Sequence, residues 1–291
     1  MNQNVTVIGA GRMGSALAAA LFKKGFATTV WNRTCSKTDA LSRLGLRVAH
    51  SLLEAVSEAD VVIVNISDYH STLQLLRHPD VESALYGKIL VQLTTGTPDE
   101  AREMEKWAQR CGIQYLDGAI WSAPMMIGTP QSMLLYSGSE ELYERVKPVL
   151  TAFGENTRFV GTEIGEASAF DLGVLVGFLM NAMFGFLQGY IVCEAENVSL
   201  EMYVQFVKNL LPALERGVAR ICGKLQGKDY VGDQASLEAW SAAPKMLISW
   251  GRDHGVDHSI ADAQLSLFDK AIKGGKGQAD FAYLCEVLKA G

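Results

Sequence analysis

The sequence predicts an α/β domain built on a parallel β-sheet, followed by an all-helical domain, with a long helix joining the two. Three observations support this fold class. Short β-branched runs alternate with amphipathic segments over residues 1–160, as in a sheet flanked by helices. A GxGxxG motif follows the first of these runs. Beyond Thr162 the strand signals stop, and helical segments separated by glycines follow one another.

The predicted strands of the first domain are short apolar or β-branched runs bounded by turn or capping residues. They lie at residues 5–8, 28–31, 61–65, 89–93, 114–117, 133–137 and 158–160. A helix over residues 12–24 is expected to end at Gly25, because glycine tolerates the left-handed conformation that follows a helix. The segments 51–54 and 97–100 are capping-box patterns, and each predicts the start of a further helix.

From residue 162 onward the sequence predicts helices only. They cover residues 162–193, 200–226, 236–253, 259–273 and 278–289. Glycines are expected to separate the later helices, and Pro212 and Pro244 predict helix starts or kinks. The chain therefore divides into an α/β domain at 1–161, a joining helix at 162–193 and a helical domain at 194–291.

Composition narrows the class of protein. The chain of 291 residues is 48% hydrophobic and 20% charged, which suits a folded protein of about two domains. Its net charge of −6 and the lack of a basic stripe argue against a nucleic-acid partner. Five widely spaced cysteines without a CxxC pair suit reduced thiols in a cytoplasm. No signal peptide is expected, because no basic segment followed by an apolar one opens the sequence.

Residues 172–193 carry no formal charge and are long enough to span a bilayer. Two GxxxG patterns, at 173–177 and 185–189, would also permit close helix packing in a membrane. We favour a helix buried on all sides in a soluble protein, because no basic cluster flanks the segment. The residues that follow are too few to enclose such a helix, so an intertwined homodimer is expected to cover it.

The GxGxxG motif lies directly between a predicted strand and a predicted helix, which makes it a strong signal for a dinucleotide-binding Rossmann domain. The first glycine permits a tight turn, the second admits a pyrophosphate, and the third lets the helix pack on the strand. The residues assigned to the cofactor here are Gly9, Gly11, Arg12, Met13 and Gly14.

The end of the second strand distinguishes the two nicotinamide cofactors. An NAD enzyme has Asp or Glu there, because that carboxylate binds the ribose 2′-hydroxyl and repels a 2′-phosphate. This chain has Asn32, Arg33 and Thr34, with Lys37 one turn further on. A guanidinium can bind a phosphate through two hydrogen bonds, and lysine adds a second positive charge. The sequence therefore predicts NADPH.

Beyond these motifs the sequence resembles the β-hydroxyacid dehydrogenase superfamily, and within it the imine reductases. The resemblance spans the whole chain. It depends on the segments 32–34, 93–98, 115–120, 134–138, 165–172 and 255–257. It implies NADPH-dependent reduction of C=N bonds by a domain-swapped homodimer, with each active site shared between two subunits.

Position 171 carries the sharpest functional signal. The hydroxyacid dehydrogenases of the superfamily have a lysine at the matching position of the joining helix, whereas this chain has Asp171. Carbonyl reduction needs a proton donor at oxygen, a task suited to lysine. A carboxylate stabilises an iminium cation or, when protonated, supplies the proton itself. Asp171 is therefore the predicted catalytic residue, unless it merely complements a helix dipole.

The remaining site predictions concern the cofactor crevice and the substrate pocket. Strand ends are expected to bring Asn65, Ile66, Ser67, Thr94 and Thr95 to the cofactor. The resemblance implies an apolar substrate pocket formed by Trp121, Ser122, Met125, Leu175, Leu179 and Trp240, the last from the partner subunit. The family's tyrosine two turns after the aspartate is missing, since residues 178–180 are Phe, Leu and Met.

Two alternative functions stay open from the sequence. One is a carbonyl or hydroxyacid dehydrogenase of the superfamily, with a substrate such as 3-hydroxyisobutyrate. The other is a protein that binds NADPH without catalysis. A metal site at 253–258 is not favoured, because its two histidines straddle a predicted turn between helices and are not spaced i, i+4 on one helix.

Overall fold

The fold is described from a computed structural model that covers residues 3–290. The chain forms two compact units, the first extending to Asn181 and the second beginning at Ala182. The first unit contains an eight-stranded sheet. Its strands are β1 (Asn4–Ile8), β2 (Ala27–Trp31), β3 (Arg47–Val48), β4 (Val61–Val64), β5 (Ile89–Gln92), β6 (Gln114–Ile120), β7 (Met133–Gly138) and β8 (Asn156–Gly161).

The strand order is β3-β2-β1-β4-β5-β6-β7-β8, and all neighbouring pairs are parallel except β6 and β7. The predicted parallel sheet is therefore wrong at this one pair. The connection between β6 and β7 holds a 3₁₀ turn at Pro124–Met126 and no α-helix. A parallel pair needs a crossover connection, usually helical, so this connection returns antiparallel instead. Each of the seven predicted strands is present, and β3 was not predicted.

The α-helices of the first unit connect the strands. They are α1 (Arg12–Lys23), α2 (Asp39–Arg43), α3 (Leu52–Ser57), α4 (Tyr69–Leu76), α5 (Pro79–Leu85), α6 (Pro98–Arg110), α7 (Glu140–Leu150) and α8 (Glu166–Phe170). The capping box predicted at the start of α6 is complete, since Thr97 and Glu100 each accept the other's backbone N–H. At α3 the box is half formed, because Glu54 accepts the N–H of His50 instead of Ser51.

Two apolar layers enclose the sheet. Along β4, Val61 and Ile63 face the layer that contains α1 and α7, whereas Val62 and Val64 face the layer that contains α4 and α6. All four side chains are fully buried. A strand covered on both faces needs apolar residues at every position, which is the pattern that predicted this strand.

A long helix (Glu166–Ala195) leads from the first unit into the second. It consists of α8, a π-helical segment at Asp171–Met180 and α9 (Asn181–Ala195). It starts four residues later than predicted because Gly165 adopts a left-handed conformation, with φ of 96°. Within residues 3–290 it is the one helix whose length and hydropathy would suit a membrane.

This chain alone does not bury the helix, as expected from the small number of residues that follow it. Only 6% of its most apolar 18-residue window is buried. Large apolar side chains such as Phe178, Met183 and Leu187 are each about half exposed. The remaining elements of this chain leave most of the apolar surface uncovered.

The second unit is helical, as predicted. After α9 it contains α10 (Leu200–Gly227), α11 (Leu237–Trp240), α12 (Ala242–His254), α13 (Ser259–Ala271), a π-helical turn at Ile272–Lys276, a 3₁₀ turn at Phe281–Tyr283 and α14 (Leu284–Lys289). Pro212 lies inside α10 and does not mark a helix start, so that part of the prediction is wrong, and the kink stays a prediction. Pro244 lies in the first turn of α12, where a proline is tolerated.

Two contacts organise the second unit. Gly189 leaves room for Tyr203, whose hydroxyl donates to the carbonyl oxygen of Phe186 and ties α10 to α9. Arg220 of α10 pairs with Asp280, a carboxylate that is 1% exposed and also accepts the N–H of Ala282. The first contact joins α9 to α10, and the second joins α10 to the segment just before α14.

Candidate active site

A cavity of about 390 Å³ lies at the carboxyl ends of β1 and β4. From β1 the chain first adds β2 and β3 on one side of the sheet and then crosses to add β4 on the other side. The cavity therefore lies at the topological switch point of the sheet. Its lining residues are Gly9, Gly11, Arg12, Met13, Trp31, Asn32, Arg33, Thr34, Lys37, Asn65, Ile66, Ser67, Ser71 and Leu75. This is the place where open α/β sheets bind nucleotides.

The three motif glycines have different structural roles. Gly9 has φ of 107°, and a Cβ there would lie 2.1 Å from the carbonyl oxygen of Asn65. A Cβ on Gly14 would lie 2.0 Å from the carbonyl oxygen of Gly9, so this glycine allows α1 to pack on the loop. A Cβ on Gly11 would meet nothing within 4 Å. Packing therefore explains Gly9 and Gly14, and room for a ligand explains Gly11.

Asn32 connects the two loops of the cavity. Its side-chain oxygen accepts the N–H of Ala10 at 2.9 Å, and its amide nitrogen donates to the carbonyl oxygen of Thr34 at 2.9 Å. Arg33 and Lys37 are exposed on the cavity lining, and no ion pair among residues 3–290 involves either. Two cations at one end of a nucleotide cavity suit a phosphate group.

The structure separates the predicted crevice residues into two groups. Asn65, Ile66 and Ser67 line the cavity, whereas Thr94 and Thr95 do not. The Thr94 side chain is buried, and its hydroxyl accepts the N–H of Ile66 at 3.1 Å. Thr94 thus supports the lining from behind. Thr95 is exposed and lies three residues beyond the end of β5.

Three lining residues escaped the sequence interpretation. Trp31 ends β2, and Ser71 and Leu75 are four residues apart on α4, so they share one helix face. Helix α4 was not predicted. Its signal was present, because Asp68 caps the helix by accepting the N–H of Ser71 at 2.6 Å.

Asp171 lies at the junction of α8 and the π-helical segment and is 4% exposed. Its Oδ1 accepts the indole N–H of Trp121 at 3.1 Å. Burial raises the pKa of Asp171, and the indole donor lowers it in part. No cationic side chain among residues 3–290 pairs with this carboxylate. A buried carboxylate of this kind can stabilise a cationic ligand or hold a proton.

A second buried carboxylate anchors the helix that carries Asp171. Asp117 of β6 is fully buried and accepts the hydroxyl of Tyr69 at 2.5 Å. It also accepts the hydroxyl of Ser168 at 2.9 Å and its backbone N–H at 3.3 Å. Burial raises the pKa of Asp117, and the Tyr69 and Ser168 donors oppose that rise.

The N-terminus of α8 has no cap of its own, because Gly165 offers no side chain. Its free N–H groups are satisfied from the sheet, where Ser137 of β7 accepts the N–H of Ala167 at 3.1 Å and Asp117 accepts that of Ser168. In the sequence, Asp117 lies in one of the segments that carry the family resemblance, and nothing there predicts its role. No local pattern indicates this contact, which joins residues 51 positions apart.

The predicted substrate residues are spread over both units. Ser122 accepts the N–H of Met133 at 2.8 Å and so holds the β6–β7 connection. Met125 is 84% exposed, and Leu175 and Leu179 lie on the π-helical segment. Trp240 belongs to the second unit and contacts Phe281 edge to face.

Two family models match the chain. Residues 4–161 match the NAD binding domain of 6-phosphogluconate dehydrogenase, and residues 163–290 match the C-terminal domain of NADPH-dependent reductive aminase-like proteins. A dinucleotide site at the sheet's switch point and a helical second unit define a two-domain nicotinamide-dependent oxidoreductase. Within that class, the chain belongs to the imine reductase and reductive aminase family.

Individual relatives agree over nearly the full length. The NADPH-dependent reductive aminase of Aspergillus oryzae is 31% identical over 100% of this chain and 99% of its own. The imine reductase of Myxococcus stipitatus, solved with NADP+, is 42% identical with a TM-score of 0.91, covering 98% of this chain and 99% of its own. The reductive aminase of Aspergillus terreus, solved with NADPH4, cyclohexanone and allyl amine, is 29% identical with a TM-score of 0.89, covering 99% and 100%.

The glycine loop yields a paired prediction. Gly14→Ala places a methyl group against the carbonyl oxygen of Gly9, so it should lower the free energy of unfolding by about 1–3 kcal/mol. Gly11→Ala meets open space and should leave the stability of the free protein nearly unchanged while weakening NADPH binding. Urea unfolding and fluorescence titration with NADPH measure the two effects. Equal stability losses in both variants would contradict the assignment.

Arg33→Ala is expected to weaken binding of NADPH much more than binding of NADH. Only NADPH carries the 2′-phosphate, and losing a charge-assisted contact should cost about 1.5–3 kcal/mol. Calorimetry with both cofactors measures the difference. Arg43→Ala, on the exposed end of α2, is the control and should alter neither affinity. Similar losses for both cofactors after Arg33→Ala would exclude a phosphate contact.

Proposed function

We propose that the protein reduces imines to amines with NADPH as the hydride source. One observation carries the proposal: Asp171 presents a buried carboxylate without a cationic partner among residues 3–290. A substrate cation can supply the missing positive charge. The iminium form of a C=N bond is such a cation, and it is also the form that accepts hydride most readily.

The chain's own residues fit the cofactor. Gly11 leaves open space where a pyrophosphate can approach the start of α1, and Arg33, Thr34 and Lys37 suit the 2′-phosphate. The other proposed cofactor contacts are Gly9, Arg12, Met13, Gly14, Asn32, Asn65, Ile66 and Ser67. The buried Thr94 acts only through its hydrogen bond to Ile66, and Thr95 stays a prediction. NADPH, when bound, supplies hydride from its nicotinamide ring to the carbon of the C=N bond.

Asp171 is the proposed catalytic residue. Ionised, it stabilises the iminium; protonated, it can transfer its proton to the imine nitrogen. Burial strengthens both effects because little water competes for the charge. Trp121, Ser122, Met125, Leu175 and Leu179 are proposed to form the substrate pocket around it.

We further propose a domain-swapped homodimer that brings Trp240 of one subunit to the pocket of the other. The support is the exposed apolar face of two helices. On the long helix, Phe178, Met183 and Leu187 are exposed, and on α10, Phe206 and Leu210 are each 64% exposed. Soluble monomers rarely expose an apolar surface of this extent. We also propose that the protein is soluble and cytoplasmic and has no membrane or nucleic-acid partner. The five free thiols and the acidic net charge support this.

The proposed boundaries of the working parts are 1–161 for the cofactor domain, 162–193 for the joining helix and 194–291 for the helical domain. The limits of the two family matches support the first boundary, since they fall at residues 161 and 163.

Asp171→Asn tests the activity. The amide keeps the size of the side chain and loses its charge and acidic proton, so kcat on 2-methyl-1-pyrroline should fall by about 100-fold or more, with NADPH affinity little changed. Asp80→Asn makes the same chemical change on the exposed surface of α5 and should have no effect. A variant with wild-type kcat would exclude Asp171 from catalysis. Oxidation of 3-hydroxyisobutyrate, with no imine reduction, would support the dehydrogenase alternative instead.

Light scattering after size-exclusion chromatography tests the assembly. A dimer that needs no detergent is expected, since a second copy can cover the apolar helices. Phe206→Glu together with Leu210→Glu should weaken the dimer, because a dry interface disfavours unpaired charges. A stable folded monomer of the wild-type chain, or recovery in the membrane fraction, would contradict this proposal.

A further inference from the structure

Trp121 is held firmly by its surroundings. It follows the last residue of β6, and its backbone N–H donates to the carbonyl oxygen of Met133 at 2.9 Å, which extends the pairing with β7. Its side chain packs against a small buried cluster of Ala119, Leu135 and Ala167. Side-chain packing and the backbone contact together restrict where the indole can lie.

The same ring contacts one face of the helix that carries Asp171. Ala167 and Asp171 are four residues apart, and residues at this spacing share a helix face. The apolar part of the indole packs in the cluster that contains Ala167, while its N–H reaches Asp171 Oδ1 at 3.1 Å. Trp121 thus contacts both the helix, through Ala167, and the carboxylate of Asp171.

The two carboxylate oxygens of Asp171 differ in their partners. Oδ1 accepts the indole N–H, whereas Oδ2 accepts no hydrogen bond from any group among residues 3–290. When the acid is protonated, the oxygen that keeps the C=O bond is the better acceptor for an N–H donor. When Asp171 is protonated, the indole therefore favours the proton on Oδ2 over the proton on Oδ1.

We propose that Trp121 is a positioning residue for the reaction: its indole N–H holds Oδ1 of Asp171 and leaves Oδ2 as the oxygen that exchanges a proton with the substrate nitrogen. This inference is in addition to the proposed imine reduction and rests on it. In the proton step the Oδ2–H bond breaks and an N–H bond forms, which gives a carboxylate and an iminium. Hydride from NADPH then reduces the iminium carbon to the amine, and NADP+ is the oxidised product.

The charged and titratable groups near Asp171 are engaged elsewhere. Asp117 on β6 is bound by Tyr69 of α4 and by Ser168. Glu166, on the first turn of α8, accepts the backbone N–H of Glu163.

Tyr115, also on β6, stays neutral because burial raises its pKa well above the usual value. Arg102 of α6 pairs with Asp99. Burial and the Trp121 donor are the two influences on the pKa of Asp171.

The decisive experiment compares the Asp171 pKa in wild-type protein and in Trp121→Phe. Aspartate labelled with carbon-13 at the carboxyl group is titrated by NMR, and the Asp171 signal is assigned by its loss in Asp171→Asn. Phenylalanine keeps an aromatic ring and removes the donor, so the carboxylate loses stabilisation. The pKa of Asp171 should rise by about 1, a tenfold change in the acid dissociation constant.

Kinetics supply the second measurement. The limb of the pH profile of kcat/KM that reports Asp171 should move to higher pH by the same amount in Trp121→Phe, whichever protonation state is active. We expect kcat on 2-methyl-1-pyrroline to fall by about 10-fold, with NADPH affinity unchanged. If Trp121 only lines the pocket and its hydrogen bond has no role, Trp121→Phe should change KM and leave the pH profile unchanged.

Two further variants complete the test. Trp121→His keeps a ring N–H at nearly the same position, so it should restore the lower pKa and part of kcat; it also serves if the phenylalanine variant does not fold. Trp107→Phe is the matched control, because the Trp107 indole donates to Glu82 of α5 at 2.7 Å and not to Asp171. It should leave the Asp171 pKa unchanged.

The outcomes separate this inference from the proposed function. An unchanged Asp171 pKa in Trp121→Phe overturns the inference, as does a raised pKa with wild-type kcat. If the wild-type protein reduces no imine, the proposed function fails, and with it the part of the inference that concerns substrate. The titration still decides whether Trp121 controls the carboxylate.

Discussion

The position of the long helix on the sheet depends on how its first N–H groups are satisfied. Asp117 and Ser137, on neighbouring strands, accept the N–H groups of Ser168 and Ala167 because Gly165 provides no side-chain cap. These contacts fix the position and the rotation of the helix relative to the sheet one turn before Asp171. The Asp171 carboxylate, the proposed catalytic group, is therefore positioned by the sheet, although it lies on a helix that is mostly exposed.

This dependence explains why a carboxylate is buried at Asp117 without a cation. Its charge is spread over the Tyr69 hydroxyl and two donors of Ser168. A neutral residue could fill the space but could not accept all three hydrogens. The hydrogen bonds of Asp117 thus position the long helix, while the apolar layers on either face of the sheet stabilise the fold.

The sequence predicted the parts of the fold that local patterns encode. The seven strands, the glycine loop and the complete capping box at Thr97 were visible because periodicity and caps act over a few residues. The antiparallel β6–β7 pair escaped because a connection of moderate length does not reveal its path. The small number of residues after the long helix predicted that this chain could not enclose it, but composition alone does not show which surface covers an apolar helix.

The cofactor cavity shows a further consequence, which concerns the redesign of cofactor preference. Asn32 uses both ends of its amide, accepting from Ala10 and donating to Thr34. An aspartate at this position, as in enzymes that prefer NADH, would keep the first contact and lose the second, because a carboxylate cannot donate. A change of cofactor that begins at residue 32 would therefore loosen the turn that carries Arg33 and Thr34, although the contact with Ala10 would stay. A change limited to Arg33, Thr34 and Lys37 would keep this turn intact, so the electrostatic preference and the turn can be altered independently.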